Sequence, residues 1–83
     1  MNKLEKKLRE LGYKTYNGYA YLKSFFVNDY YFECLIALNK SKTKVKDYFL
    51  TTPVFRTYKV VNAFLKEFNK FKKDLEVLKE YEL

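Results

Sequence analysis

The sequence predicts an α+β fold in the order α-β-β-β-α(α), with a three-stranded antiparallel meander and helices on one face. Three observations carry this. Apolar residues recur at helical spacing near each end of the 83-residue chain. Between Tyr13 and Leu50 the period shortens to two and Tyr, Phe, Thr and Val take over. Two Gly and one Pro leave no room for a flexible boundary, so residues 1–83 read as a single small domain.

At the front, Leu4, Leu8 and Leu11 stand at i, i+4 and i+7 with Lys and Glu between them, one apolar stripe of a short amphipathic helix. Gly12 follows as a stop signal. Asn17-Gly18 has hairpin composition, but it lies so close to the helix end that it reads as a turn leading into the first full strand, Gly18 to Val27. Asn28-Asp29 is the next turn. Tyr30 to Asn39 is strand two, the polar NKSKTK is a connection, and Lys44 to Thr51 is strand three.

Beyond Pro53 the helical period returns through Tyr58, Val61, Leu65, Phe68, Phe71, Leu75, Leu78 and Leu83, flanked by Val54, Phe55 and Phe64. Thr52 can cap a helix starting at Pro53, or Thr57 one starting at Tyr58. The β-rich VFRTYKVV favours Thr57. Such a helix spans about 25 residues, roughly 37 Å, and a strand of eight or nine only about 28 Å. The long or broken helix must overhang, bend near Asn69 or meet another subunit.

An antiparallel sheet with helices on one face leaves the other to water or a partner. Strand two assigns Phe32, Cys34, Ile36 and Leu38 to the core. Matching strand one to it sends Ala20, Leu22 and Phe26 inward, and in strand three Val45 and Phe49. The open face then reads Tyr19, Tyr21, Lys23, Phe25, Tyr31, Lys44, Lys46 and Tyr48, rings interleaved with ammonium groups. Asp47 inward and Leu35 with Ala37 outward strain this assignment. A single bulge or one-residue slip would turn strand three over and bring Tyr48 inward.

The formal charge of +7 is spread along the chain and favours a polyanionic partner. Rings on a sheet stack unpaired bases while Lys neutralises phosphate, so the expected ligand is single-stranded nucleic acid or a nucleoprotein complex. The same rings suit a contact with a host protein, or simply cross-strand pairing that stabilises a small sheet. A homodimer through the C-terminal helix is a third option. Lys3, Lys6, Lys7 and Arg9 on the first helix, and Lys66, Lys70 and Lys73 on the last, read as solvated faces or as a phosphate track.

Histidine is absent and Cys34 stands alone, which removes the usual general base, a Cys/His pair and a zinc site. Neither glycine belongs to a phosphate-cradling loop. Asp29, Glu33 and Asp47 scatter over faces and loops. The expectation is a protein with no catalytic residues, no metal and no cofactor. A lone cysteine between apolar residues, a charged front segment without a signal core and no long apolar run point to a reduced, cytoplasmic setting with no membrane span.

The order helix, three strands, helix resembles double-stranded-RNA-binding domains, although the glycine- and lysine-rich start of their second helix has no counterpart in TTPVFRTYKVVNAF. With its LREL first helix and two C-terminal helical segments the layout also looks like small phage-encoded anti-CRISPR proteins. Those that imitate DNA are acidic, whereas this chain is basic. That second resemblance implies a phage or mobile-element inhibitor or adaptor that binds a host protein or ribonucleoprotein. No functional residue is carried over from either family.

Overall fold

The computed structural model of the chain describes residues 2–27, 30–51 and 69–82, the side chains of residues 25, 27 and 30 excepted. It is an α+β fold: an N-terminal helix α1 (Lys3–Glu10), a four-stranded antiparallel sheet and a C-terminal helix. The strands are β1 (Lys14–Asn17), β2 (Ala20–Val27), β3 (Tyr30–Leu38) and β4 (Val45–Thr51), and they lie in sequence order across the sheet.

Helix α1 begins where Asn2 Oδ1 accepts a hydrogen bond from the Glu5 N–H at 2.9 Å, satisfying one of the donors that a helix start leaves without an intrahelical partner. It ends at Gly12, whose φ of 96° lies in the left-handed region. Gly12 N–H donates to the Arg9 carbonyl and Tyr13 N–H to the Leu8 carbonyl, both at 3.0 Å. That double closure needs a residue without Cβ at its left-handed position, and it aims the chain straight into β1.

The first departure from expectation is β1. Asn17-Gly18 does form the turn of a hairpin, with Lys14 opposite Leu22, Thr15 opposite Tyr21 and Asn17 opposite Ala20. The meander therefore has four strands, and strand Gly18–Val27 starts at Ala20 instead. Four residues suffice for an edge strand because the Tyr13 side chain, buried in the core, anchors its entry.

The second departure is the side on which β2 presents its residues. Tyr21 pairs with Ile36 and Lys23 with Cys34, and cross-strand partners share a face. Tyr21 is only 2% exposed. Tyr21 and Lys23 thus point toward the helices, and Leu22 and Phe26, expected inward, point away. Strand β4 also turns over: its register shifts opposite Ala37 and Leu38, with Val45 and Asp47 paired and Lys46 between them as the extra residue. Beyond that bulge Tyr48 and Leu50 face the helices, while Asp47 and Phe49 face the other way.

The core joins Leu4 and Leu8 of α1, Tyr13, Tyr21, Cys34, Ile36, Leu38 and Val45 of the sheet side, and Phe71 and Leu78 from the C-terminal segment. Complete burial of each aliphatic side chain in this set contributes about 1.5–3 kcal/mol. Phe32 is also fully buried on this face. The C-terminal helix, α2, is described over 69–77 and gives way to a turn at Leu78 and a 3-10 turn at Lys79–Tyr81. It does not continue as an α-helix to Leu83, because Glu82 instead bridges in parallel to Val45 at the start of β4. The expected turn at Asn28-Asp29, both candidate helix starts and the apolar stripe from Val54 to Phe68 lie outside the described residues.

Candidate functional site

Helices α1 and α2 lie on the same face of the sheet, and four side-chain contacts fix that placement. Tyr21 OH donates to Glu5 Oε2 at 2.9 Å. Lys23 Nζ donates to Asp74 Oδ2 at 3.2 Å, and Tyr13 OH donates to the same oxygen at 2.9 Å. The Tyr48 ring meets Phe71 edge-on, with centroids 6.2 Å apart.

These contacts explain how polar-tipped residues occupy the helix face. Burial, then the Asp74 charge, pushes the Tyr13 hydroxyl far above the usual tyrosine range. Burial and the bond to Glu5 raise Tyr21 as well, with Arg9 acting in the opposite sense. Lys23 Nζ stands 5.2 Å from the Tyr13 ring centroid, and the Arg9 guanidinium 5.8 Å from that of Tyr21. Both rings gain a cation on the helix face.

The opposite face reads in four cross-strand rows. Asn17, Ala20, Ala37 and Asp47 form the first, Lys14, Leu22, Leu35 and Phe49 the second, Ser24, Glu33 and Thr51 the third, and Phe26 with Tyr31 the fourth. Phe26 is 71% exposed and Phe49 46%. The Phe26 and Tyr31 rings tilt together at 5.4 Å, and Tyr31 OH donates to Glu33 Oε2 at 2.7 Å, which raises the hydroxyl's pKa.

The eight residues expected on one open face are therefore divided. Tyr31 is on the open face, and Tyr19 and Lys46 line a depression at its end. Tyr21, Lys23 and Tyr48 belong to the helix face, although Tyr48 keeps 47% of its surface exposed. Lys44 is exposed in the loop after β3, where its N–H donates to Asn39 Oδ1 at 3.1 Å. Phe25 enters only through its backbone, paired with Phe32; its side chain lies outside the described residues.

Sequence reasoning missed Lys14, Leu22, Phe26 and Phe49 as open-face residues. The available signal was the outward pair Leu35 and Ala37, which already implied an apolar outer surface for the strands beside β3. Among the described residues, no group of acidic and cysteine side chains could hold a metal ion, and no helix is long and apolar enough to cross a membrane. No family model matches the chain, and neither a curated protein nor a solved structure matches it.

Proposed function

We propose that the protein is a non-enzymatic module of the cytoplasm that binds single-stranded nucleic acid on the open sheet face. The observation that carries this reading is a four-stranded antiparallel sheet backed by helices on one side, with Phe26, Tyr31 and Phe49 on the other. Every base has a π-face, so exposed rings spaced along a sheet stack an unpaired strand without reading its sequence. Lys14, Lys40 and Lys46 border the same surface and supply charge for phosphate.

The test is fluorescence anisotropy of labelled single-stranded DNA, single-stranded RNA and duplex DNA at two salt concentrations. Binding should prefer single strands and weaken steeply with salt, as counterion release requires. Phe49→Ala and Phe26→Ala should each lower single-strand affinity by about tenfold, toward the lower end of the range for one lost stack. No binding at low salt, or undiminished affinity in both variants, refutes the reading.

A second reading is a mobile-element inhibitor or adaptor that docks a host protein or ribonucleoprotein on this face. The apolar row Leu22, Leu35 and Phe49, next to Glu33, favours it, because a carboxylate there repels phosphate. Salt-insensitive capture of a host protein, with no affinity for nucleic acid, would be its signature.

A further inference from the structure

Ala20 and Ala37 stand directly opposite each other in β2 and β3. Two methyl groups side by side, where the adjacent row carries Leu22 and Leu35, leave a depression of about 520 Å³ at the hairpin end of the open face. That volume falls in the range of small-ligand sites, about 300–1,000 Å³. Its walls have the chemistry of a nucleotide. Tyr19 contributes a ring, Asn17 an amide, and Lys40 and Lys46 two exposed ammonium groups, while no carboxylate is among the lining residues described.

The walls are also held in place. Tyr19 N–H donates to Asn17 Oδ1 at 2.9 Å, and the Tyr19 carbonyl accepts from Leu38 N–H at 2.7 Å. Lys42, in the left-handed conformation at φ 60°, sets its Nζ 5.8 Å from the Tyr19 ring centroid. Because Asn17 spends its oxygen on Tyr19, the group it offers a ligand is its NH2 donor pair. Asp47 shares the row, but its Oδ1 accepts from the Tyr48 N–H at 2.8 Å.

We infer that this depression is a single-nucleotide pocket: one base of a bound strand stacks on Tyr19 over the Ala20–Ala37 floor, and its phosphates meet Lys40 and Lys46. The inference rests on the single-strand reading above and adds to it a defined place where one base leaves the run of stacked neighbours. The lysines give the charge complementarity that selects a nucleotide over a neutral ring. The small floor leaves room for a base beside Tyr19 and the lysines.

Two probes separate base from phosphate: a labelled ten-nucleotide oligo(dT), and a sugar-phosphate chain of equal length without bases. Ala37→Leu fills the floor, and Tyr19→Ala, at an exposed position, removes the ring without touching the core. Each should weaken oligo(dT) by about tenfold and leave the abasic chain bound as by the wild type. Lys46→Ala should weaken both probes equally.

Wild-type oligo(dT) affinity in both Ala37→Leu and Tyr19→Ala overturns the pocket. If Phe49→Ala still weakens that binding, the open-face reading survives without it. Failure of the wild type to bind either probe overturns both. Thermal unfolding of each variant at the wild-type midpoint shows that a lost affinity is not lost structure.

Discussion

Asp74 is where the C-terminal helix is fastened to the helix-side face of the sheet, and its removal has a magnitude that follows from its partners. Asp74→Ala leaves the buried Tyr13 hydroxyl without an acceptor, at a cost of about 1–3 kcal/mol. It also takes the carboxylate from Lys23, whose side chain is 35% exposed, so solvent screening holds that loss under about 1 kcal/mol. The sum is about 1–4 kcal/mol. A domain of 83 residues has about 4–12 kcal/mol in total. With a urea m value of about 1 kcal/mol per M, the unfolding midpoint should fall by about 1–4 M.

The decisive form of the experiment is a double-mutant cycle between Tyr13→Phe and Asp74→Ala, read by urea titration with circular dichroism. The hydrogen bond predicts a coupling energy of about 1.5–3 kcal/mol, since one of its partners is charged. A coupling within about 0.3 kcal/mol of zero would mean that the two residues do not meet and that α2 is fastened elsewhere.

Two further outcomes follow from the arrangement of faces and hydroxyls. Tyr21→Ala should destabilise the protein by about 3–5 kcal/mol, as loss of a buried ring does, while Phe26→Ala should stay within about 0.5 kcal/mol; the reverse order would restore the register first expected from alternation. Tyr13 and Tyr21 have raised native pKa values, so the stability they confer is whole below pH about 10 and is lost as pH climbs beyond it. In a phenolate absorbance titration their share should emerge only together with unfolding. Complete ionisation of the nine tyrosines near pH 10 with native circular dichroism intact would contradict their burial.

Element types could be read from the sequence because they depend on local signals. The stripe Leu4, Leu8 and Leu11, the stop at Gly12, and the core set Phe32, Cys34, Ile36 and Leu38 all came from spacing alone. The faces of β2 could not. Either parity of that strand mixes apolar with polar groups: one contains Lys23 and the other Ser24. What decides between them is a pair of carboxylates, Glu5 and Asp74, 16 and 51 residues away from Tyr21 and Lys23. They receive the hydroxyl and the ammonium on the helix side, and alternation within one strand carries no trace of them. Strand β4 differs again, since Asp47 in an inward slot signalled a bulge, and the extra residue Lys46 supplies it. Asn17-Gly18 has the composition of a hairpin turn, while its closeness to the helix end argues by spacing against a full strand before it. The tight closure at Gly12 and Tyr13 is what makes the short edge strand fit.

The Tyr13–Asp74 contact closes a sequence separation of 61 residues, whereas the β2–β3 pairing closes at Val27 and Tyr30. Closure entropy grows with the logarithm of loop length, so the hairpin forms at small entropic cost and the long closure waits for it. The carboxylate then acts as a bolt thrown after the barrier is crossed. Asp74→Ala should leave the refolding rate nearly unchanged and express its loss as faster unfolding. The lifetime of the folded state, more than the speed of reaching it, is what this one side chain sets.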